Sequence, residues 1–491
     1  VRVAKPETIP TLIGGERRLA RAGGTLDAVN PATGEVIARF PRFLAEDVDD
    51  AVAAARDAFT TWRDVPPLER ADLVRRLADA IEEHSAELTL LDVRENGSPI
   101  REMRRDAFAA AASLRYFAGI ALELRGATIP STGPDRLDYT LKQPFGVVGR
   151  IVPFNHPVMF AGGKIAAPLV AGNTVVLKPS EHTSLSAIRL GELAAGILPP
   201  GVVNVVTGLG DEAGDALVTH SDVRRLAFIG SVDVGRLIQQ RAASSAVKTV
   251  TLELGGKNPL VIFPDADVDA AVAGALRGMN FTWQGQSCGS TSRLLVHRSL
   301  HDDFVSALAE RIEALRSGPP EDEATDTGAI VHRRQYDKVL SYLELGRSEG
   351  ARVVVGGGPP ADSALADGMY LRPTLFDDVT PDMRLAREEI FGPVLAAMPF
   401  DSYEDAVGIA NALPYGLTAG IFTRDLSTAH RFARDVEAGY VWVNDSSSHF
   451  PGVPFGGFKD SGVGREEDIE ELYSYTQTKN VHVNFGGGAL A

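Results

Sequence analysis

A single cysteine, Cys288, stands among 491 residues, so no disulfide can form within the chain and no cysteine-rich zinc site can be assembled. Positive charge is also in deficit. Forty-nine Lys and Arg against 65 Asp and Glu give a formal net charge of -16, which repels phosphate backbones and anionic lipid surfaces. Neither nucleic acid nor a membrane is expected as a partner. The longest apolar stretch, Gly146 to Gly172, is interrupted by Arg150, His156 and Lys164 and cannot span a bilayer without burying those groups. Val1 to Pro10 carry no apolar run followed by a small-residue cleavage site. Together these absences predict a soluble, cytoplasmic protein.

What is present is ordinary for a folded enzyme or binding protein. With 44% hydrophobic and 23% charged residues, disorder and fibrous architectures are not suggested, and the length favours two or three domains. From Glu46 to about Glu123 apolar residues recur at helical spacing, as in DVDDAVAAARDAFTTW and RADLVRRLADAIEEHSAELTLLDV. From Gly146, β-branched runs alternate with helix-length segments: GVVGRIVPF, NTVVLKP, GVVNVVTG, RRLAFIGS and VKTVTLEL are strands, separated by PVMFAGGKIAAPLVAG, EHTSLSAIRLGELAAGI and DVGRLIQQRAASSA. Such alternation implies parallel strands with right-handed crossovers, a Rossmann-type sheet. The alternation restarts beyond Asn258 with PLVIF, RLLVH, RVVVGG, PVLAAMPF, TAGIF and YVWV, predicting a second α/β domain. RLDYTLKQP and SYTQTKNVHVNF look like strands belonging to neither, whose edges could pair with a neighbouring subunit. The terminal GGGALA reads as a frayed end.

Ligands of open α/β sheets bind beyond the carboxyl ends of the strands. There the chain carries Pro153-Phe154-Asn155, Lys178-Pro179-Ser180-Glu181, Gly230-Ser231 and Glu253-Leu254-Gly255-Gly256. Alternation in VKTVTLEL puts Glu253 on the more polar strand face, as a proton acceptor or as a structural ion-pair partner. The glycine pair after it would let backbone approach a ligand closely. Lys178 and Glu181 suit ribose hydroxyls and repel a 2′-phosphate, favouring NAD; alternatively Ser180 caps the next helix and Glu181 favours its positive end. Gly208, Gly210 and Gly214, and the stretch from Gly230 to Gly235, depart from G-x-G-x-x-G and read alone as tight turns, although Gly230 closes a strand and opens a helix that could hold a pyrophosphate.

An isolated cysteine is ordinarily an inert small hydrophobe. Cys288, however, is bracketed by Gly285 and Gly289 and flanked by Gln286, Ser287 and Ser290, which suits a loop facing a cleft. A thiol attacks as its thiolate, so it needs a base or an electropositive site, and Glu253 is a plausible base or water activator.

Taken in order, PFNHP at Pro153, KPSE at Lys178, GSVDVG at Gly230, ELGGKNP at Glu253, GQSCG at Gly285, EEIFGPV at Glu388, NALPYGL at Asn411 and PFGGFKDSGVGRE at Pro454 closely resemble the aldehyde dehydrogenase superfamily over nearly the whole chain. The resemblance implies that Cys288 forms a thiohemiacetal, that Asn155 and the Cys288 backbone N–H hold its oxyanion, and that Glu253 activates the water that hydrolyses the resulting thioester. The presence of Glu253 argues against the CoA-acylating branch. NAD is the implied cofactor, with Pro153, Phe154, Lys178, Glu181, Gly230, Ser231, Leu254, Glu389 and Phe391 as its contacts. Lys164 and Glu466 match a proton path from the base. The implied fold comprises an NAD-binding domain (1–125 and 146–254), a catalytic domain (255–452) and a small β oligomerisation domain (126–145 and 470–491), hence a homodimer or homotetramer. No metal is implied, and no HExxH motif is present.

By the same register the aldehyde tunnel is lined by Phe160, Gly163, Thr282, Trp283, Ser287, His449, Phe450 and Phe455. Gly163 falls where many relatives carry tryptophan, which should widen the tunnel for a medium-sized or aromatic aldehyde. His156, next to Asn155, either perturbs the pocket electrostatically or is a satisfied histidine behind it. Betaine-aldehyde and semialdehyde oxidation, or a non-catalytic structural role on the same fold, are the alternatives; no arginine is obviously placed to clamp a second carboxylate, and no full aromatic cage is evident.

Overall fold

The computed structural model describes residues 6–130 and 133–485, so Val1 to Lys5 and the terminal GGGALA lie outside the described residues. Two open sheets dominate. The first has six strands in the order Gly462–Val463, Thr249–Leu254, Val223–Gly230, Val147–Ile151, Thr174–Lys178, Val203–Val205. Five are parallel, and the short Gly462–Val463 strand, arriving from beyond the second sheet, adds antiparallel to Thr249–Leu254. The chain starts at Val147–Ile151, winds outward to Val203–Val205, then returns to the other side with Val223–Gly230. That reversal is the topological switch point at which such sheets open a crevice.

The second sheet has seven strands in the order Arg352–Val355, Thr374–Asp377, Val394–Phe400, Arg293–His297, Pro259–Ile262, Thr418–Phe422, Tyr440–Val443. All pairs are parallel except the outermost, Arg352–Val355 with Thr374–Asp377. Every strand predicted after Gly146 is therefore present. The two orphan segments also form strands: Thr476–Asn484 pairs antiparallel with Arg136–Pro144, which carries Thr128–Ile129 on its other edge. Tyr473 and Ser474 belong to a short helix, Ile469–Ser474, and not to the strand.

Several local readings are corrected. The long helical stretch after Arg70 is two helices, Pro67–Glu83 and Ser85–Asn96, that meet at His84. PVMFAGGKIAAPLVAG is likewise two short helices, Pro157–Gly163 and Ala166–Val170, and the break leaves Lys164 at the end of the first. Ser180 does not cap the following helix, Leu185–Ala195. Its Oγ accepts from the His182 N–H at 3.2 Å, while the buried Glu95 carboxylate accepts from Ser184 N (3.3 Å) and Leu185 N (2.7 Å). Four short strands before Pro41, paired as Thr11–Ile13 with Glu16–Arg18 and Thr25–Val29 with Val36–Pro41, were not predicted. Among the described residues no helix is long and apolar enough to cross a membrane.

Candidate active site

The switch point opens into a cleft of about 690 Å³ lined by Pro153, Phe154, Lys178, Glu181, Gly230 and Ser231, six of the residues singled out in the sequence. Parallel pairing brings them together: Ile151 lies beside Lys178 and beside Phe228, so the segments leaving these strands emerge side by side. The Lys178 ammonium is buried 3.9 Å from Glu181 and donates to the Pro179 carbonyl at 3.1 Å; burial lowers its pKa. Gly214 borders the same space, where a Cβ would stand 3.4 Å from Lys178 Cε. Gly230 ends its strand and Ser231 caps the helix Val232–Ala243, accepting from Val234 N at 3.5 Å, so the first turn of that helix faces the cleft. A side chain at Gly230 would collide with the Phe228 ring.

Leu254 does not line the cleft; it packs beneath Gly235 of that helix. Glu389 and Phe391 border a narrow gap beside Gly256, on the segment that enters strand Val394–Phe400. Glu389 Oε1 accepts from Gly256 N at 3.0 Å, so the close approach permitted by Gly255-Gly256 is made here by a protein carboxylate. Phe391 holds a positive φ of 56°, a costly conformation for a phenylalanine, and Gln335 Nε2 fixes it by donating to the carbonyls of Ile390 (2.9 Å) and Phe391 (2.7 Å). Its ring meets Phe154 edge to face at 5.7 Å, joining the two sheets across the crevice. Two further wall residues, His182 and His332, stack with centroids 3.9 Å apart. No sequence pattern connects them, because one follows strand Thr174–Lys178 and the other caps helix Arg333–Ser348.

Cys288 lies on the loop between helix Val268–Gly278 and strand Arg293–His297. Asn258 Nδ2 holds this loop by donating to the carbonyls of Cys288 (2.7 Å) and Ser290 (3.0 Å). Burial, then the charges of Glu389, Glu253 and Glu467, push the thiol up to about 12. Both carboxyl oxygens of Glu253 are buried without a hydrogen-bond partner among the described residues, and burial followed by the nearby Glu466 charge raises its pKa well above the usual carboxylate range. Asn155 is 3% exposed, and its Oδ1 has no partner among the described residues, while Asn96 donates to its backbone carbonyl at 3.3 Å and to that of Phe154 at 2.6 Å. The Asn155 backbone is thereby held in place.

Behind Glu253, Lys164 lies 2.9 Å from Glu466 and 3.2 Å from Glu467, and Glu466 also accepts from the fully buried Arg150 at 2.6 Å. These cations hold Glu466 down to about 2.

A second cavity, of about 440 Å³, reaches Cys288 and is lined by Phe160, Gly163, Trp283, Ser287, His449, Phe450 and Phe455. Thr282 instead borders a neighbouring hollow with Glu102. At Gly163 the space a side chain would take is partly filled by Ser113, which stands 3.3 Å from a Cβ placed there. Sequence reasoning missed Asp106, Ser113 and Glu467 on this wall. Asp106 and Ser113 project from helix Ile100–Gly119, which reads as packing alone.

A family model described as "Aldehyde dehydrogenase family" matches residues 19–481. Aldehyde dehydrogenase tropH from Talaromyces stipitatus is 47% identical over 467 residues, covering 94% of this chain and 90% of that protein. A betaine aldehyde dehydrogenase from Sinorhizobium fredii is 43% identical, covering 96% and 97%. Among solved structures, an NAD+ complex of an aldehyde dehydrogenase from Bacillus cereus superposes with a TM-score of 0.94 at 41% identity, covering 98% of this chain and 97% of that one. With the match spanning both sheets, the cysteine loop and the cleft, the chain belongs to the aldehyde dehydrogenase family.

Proposed function

We propose that the protein oxidises a neutral, medium-sized or aromatic aldehyde to its carboxylic acid with NAD, through a covalent intermediate on Cys288 and hydrolytic release. The observation that carries this reading is a buried carboxyl, Glu253, with no hydrogen-bond partner among the described residues, whose charge acts on a thiol at a cavity lined by apolar rings. Lys178, Glu181, Gly230, Ser231, Glu389 and Phe391 would hold the dinucleotide, which when bound accepts a hydride from the substrate carbon. Its cationic oxidised ring would also oppose the carboxylates that keep the thiol protonated.

The Cys288 thiol gives its proton to solvent water, the sulfur adds to the carbonyl carbon, and the oxygen, now negative, is held by the Asn155 side-chain N–H and the Cys288 N–H. Loss of hydride leaves a thioester. Glu253, once ionised, takes a proton from water; the oxygen adds to the acyl carbon, the C–S bond breaks and Cys288 leaves as the thiolate. Lys164 and Glu466 would pass the proton onward from the base.

The cavity electrostatics support a neutral substrate. Its two carboxylates are already engaged, Asp106 by His156 at 2.9 Å and Glu467 by Lys164 at 3.2 Å. Arg105, on the rim, is engaged by Glu102 at 2.9 Å. Tyr440 and Trp442 pack behind His449 and not on the wall, which leaves a quaternary ammonium without a full cage. We place dimer or tetramer contacts on the three-stranded sheet, supported by exposed Ile129 and Leu141, with 126–145 and 470–491 as the oligomerisation domain, 1–125 with 146–254 binding NAD and 255–452 carrying catalysis. A lone cysteine in a −16 chain suits the cytoplasm. Comparing kcat/KM for benzaldehyde and acetaldehyde tests the substrate reading; a clear preference for acetaldehyde overturns it.

A further inference from the structure

The wall of the cysteine cavity carries one feature that bare aldehyde oxidation does not use. His156 Nδ1 lies 2.9 Å from the carboxylate of Asp106, a buried residue on a different helix. A carboxylate accepts, so the hydrogen of this contact sits on Nδ1, and in that tautomer Nε2 is the acceptor of the ring. The imidazole is clamped from two further sides. It meets Phe160 edge to face at 5.5 Å and Trp283 at 5.4 Å, all three rings lining the cavity. Its ring makes no other hydrogen bond among the described residues, so Nε2 is left without a protein partner.

A fixed imidazole with a carboxylate behind it is a costly way to line an apolar tunnel. Its orientation takes a buried charge, and Nε2 loses water without replacement when an apolar substrate enters. The same arrangement becomes favourable when the substrate brings a donor. We propose that His156, oriented by Asp106, accepts a hydrogen bond from a hydroxyl group on the aldehyde, so that the preferred substrates are hydroxylated aromatic aldehydes. Phe160, Trp283 and Phe455 receive the ring, and His156 Nε2 receives the O–H. His156 is thus the specificity residue and Asp106 the positioning residue. This inference rests on the aromatic-aldehyde reading above.

The test compares kcat/KM for 2-, 3- and 4-hydroxybenzaldehyde with that for the matching methoxybenzaldehydes and benzaldehyde, at a pH below the phenol titration, so that the O–H donor is present. The wild type should prefer at least one hydroxylated isomer over its methoxy partner. His156→Phe should reduce that hydroxyl-to-methoxy ratio roughly tenfold, the scale of one hydrogen bond. Asp106→Asn should reduce it as well, because an amide that donates to Nδ1 moves the ring hydrogen to Nε2 and removes the acceptor. His156→Gln, which restores an acceptor oxygen, should recover part of the ratio and covers the case in which the phenylalanine variant does not fold. An unchanged ratio in both His156 variants overturns the inference and leaves the oxidation reading standing. Turnover of acetaldehyde without turnover of any aromatic aldehyde would reject the aromatic reading, and this inference with it.

Discussion

A methyl group on Gly255 would overlap both carboxylate oxygens of Glu389, so the missing side chain after strand Thr249–Leu254 is what lets Glu389 reach the Gly256 N–H. One residue of the first sheet's exit thereby positions a carboxylate delivered by the second. Glu389 is further tied through its own carbonyl, which accepts from Lys338 at 2.9 Å.

Gly255→Ala should therefore push Glu389 away from the dinucleotide while leaving the strand intact. Losing one charge-assisted contact predicts a rise in KM for NAD of about tenfold or more. Steady-state kinetics and far-UV circular dichroism check this together, and an unchanged KM would remove Glu389 from cofactor binding.

Glu466 is held by two buried cations, so Glu466→Gln leaves Arg150 and Lys164 facing a neutral amide. Breaking one side of such a buried network costs about 3 to 5 kcal/mol. In the wild type the folded pKa of Glu466 is depressed from 4.5 to about 2, so its stabilisation is fully present above 4.5 and is lost as pH falls through about 2. Urea titrations of both proteins between neutral and acidic pH measure this, and equal midpoints would contradict it.

Much of this site was legible in the sequence because α/β sheets concentrate function at strand ends. Lys178, Gly230 and Glu253 each follow or end a β-branched run, and the sheet brings those ends to one edge. Phe160, Trp283 and Phe455 were reached only through the resemblance. Asp106 was not legible: it lies on a helix whose spacing signals burial, and its meaning comes from His156 on another element. The junction at His84 was equally silent, since apolar spacing continues through it with no Gly or Pro to mark the turn. The hairpin Thr11–Ile13 with Glu16–Arg18 is too short for alternation to register.

For Asn155, proposed to hold the oxyanion through its side-chain N–H and 3% exposed, Asn155→Ala should lower kcat by about 10²- to 10³-fold with little change in KM for NAD. A loss confined to KM would assign the amide to binding and not to the oxyanion.

Glu253 must lose a proton to act, and its pKa is raised by burial. Steady-state turnover should therefore fall as pH drops, along a limb lying above the ordinary carboxylate range. Glu253→Gln should give a burst of NADH followed by turnover slowed by about 10²- to 10⁴-fold. Unchanged steady-state turnover in this variant would remove Glu253 from deacylation.

The central claim is that Cys288 is the nucleophile, and the direct measurement is mass spectrometry of the intact chain quenched during aldehyde turnover. The account predicts an acyl adduct on Cys288 that accumulates in Glu253→Gln, with both adduct and NADH production abolished in Cys288→Ala and no requirement for coenzyme A. NADH production by Cys288→Ala at the wild-type rate would contradict it.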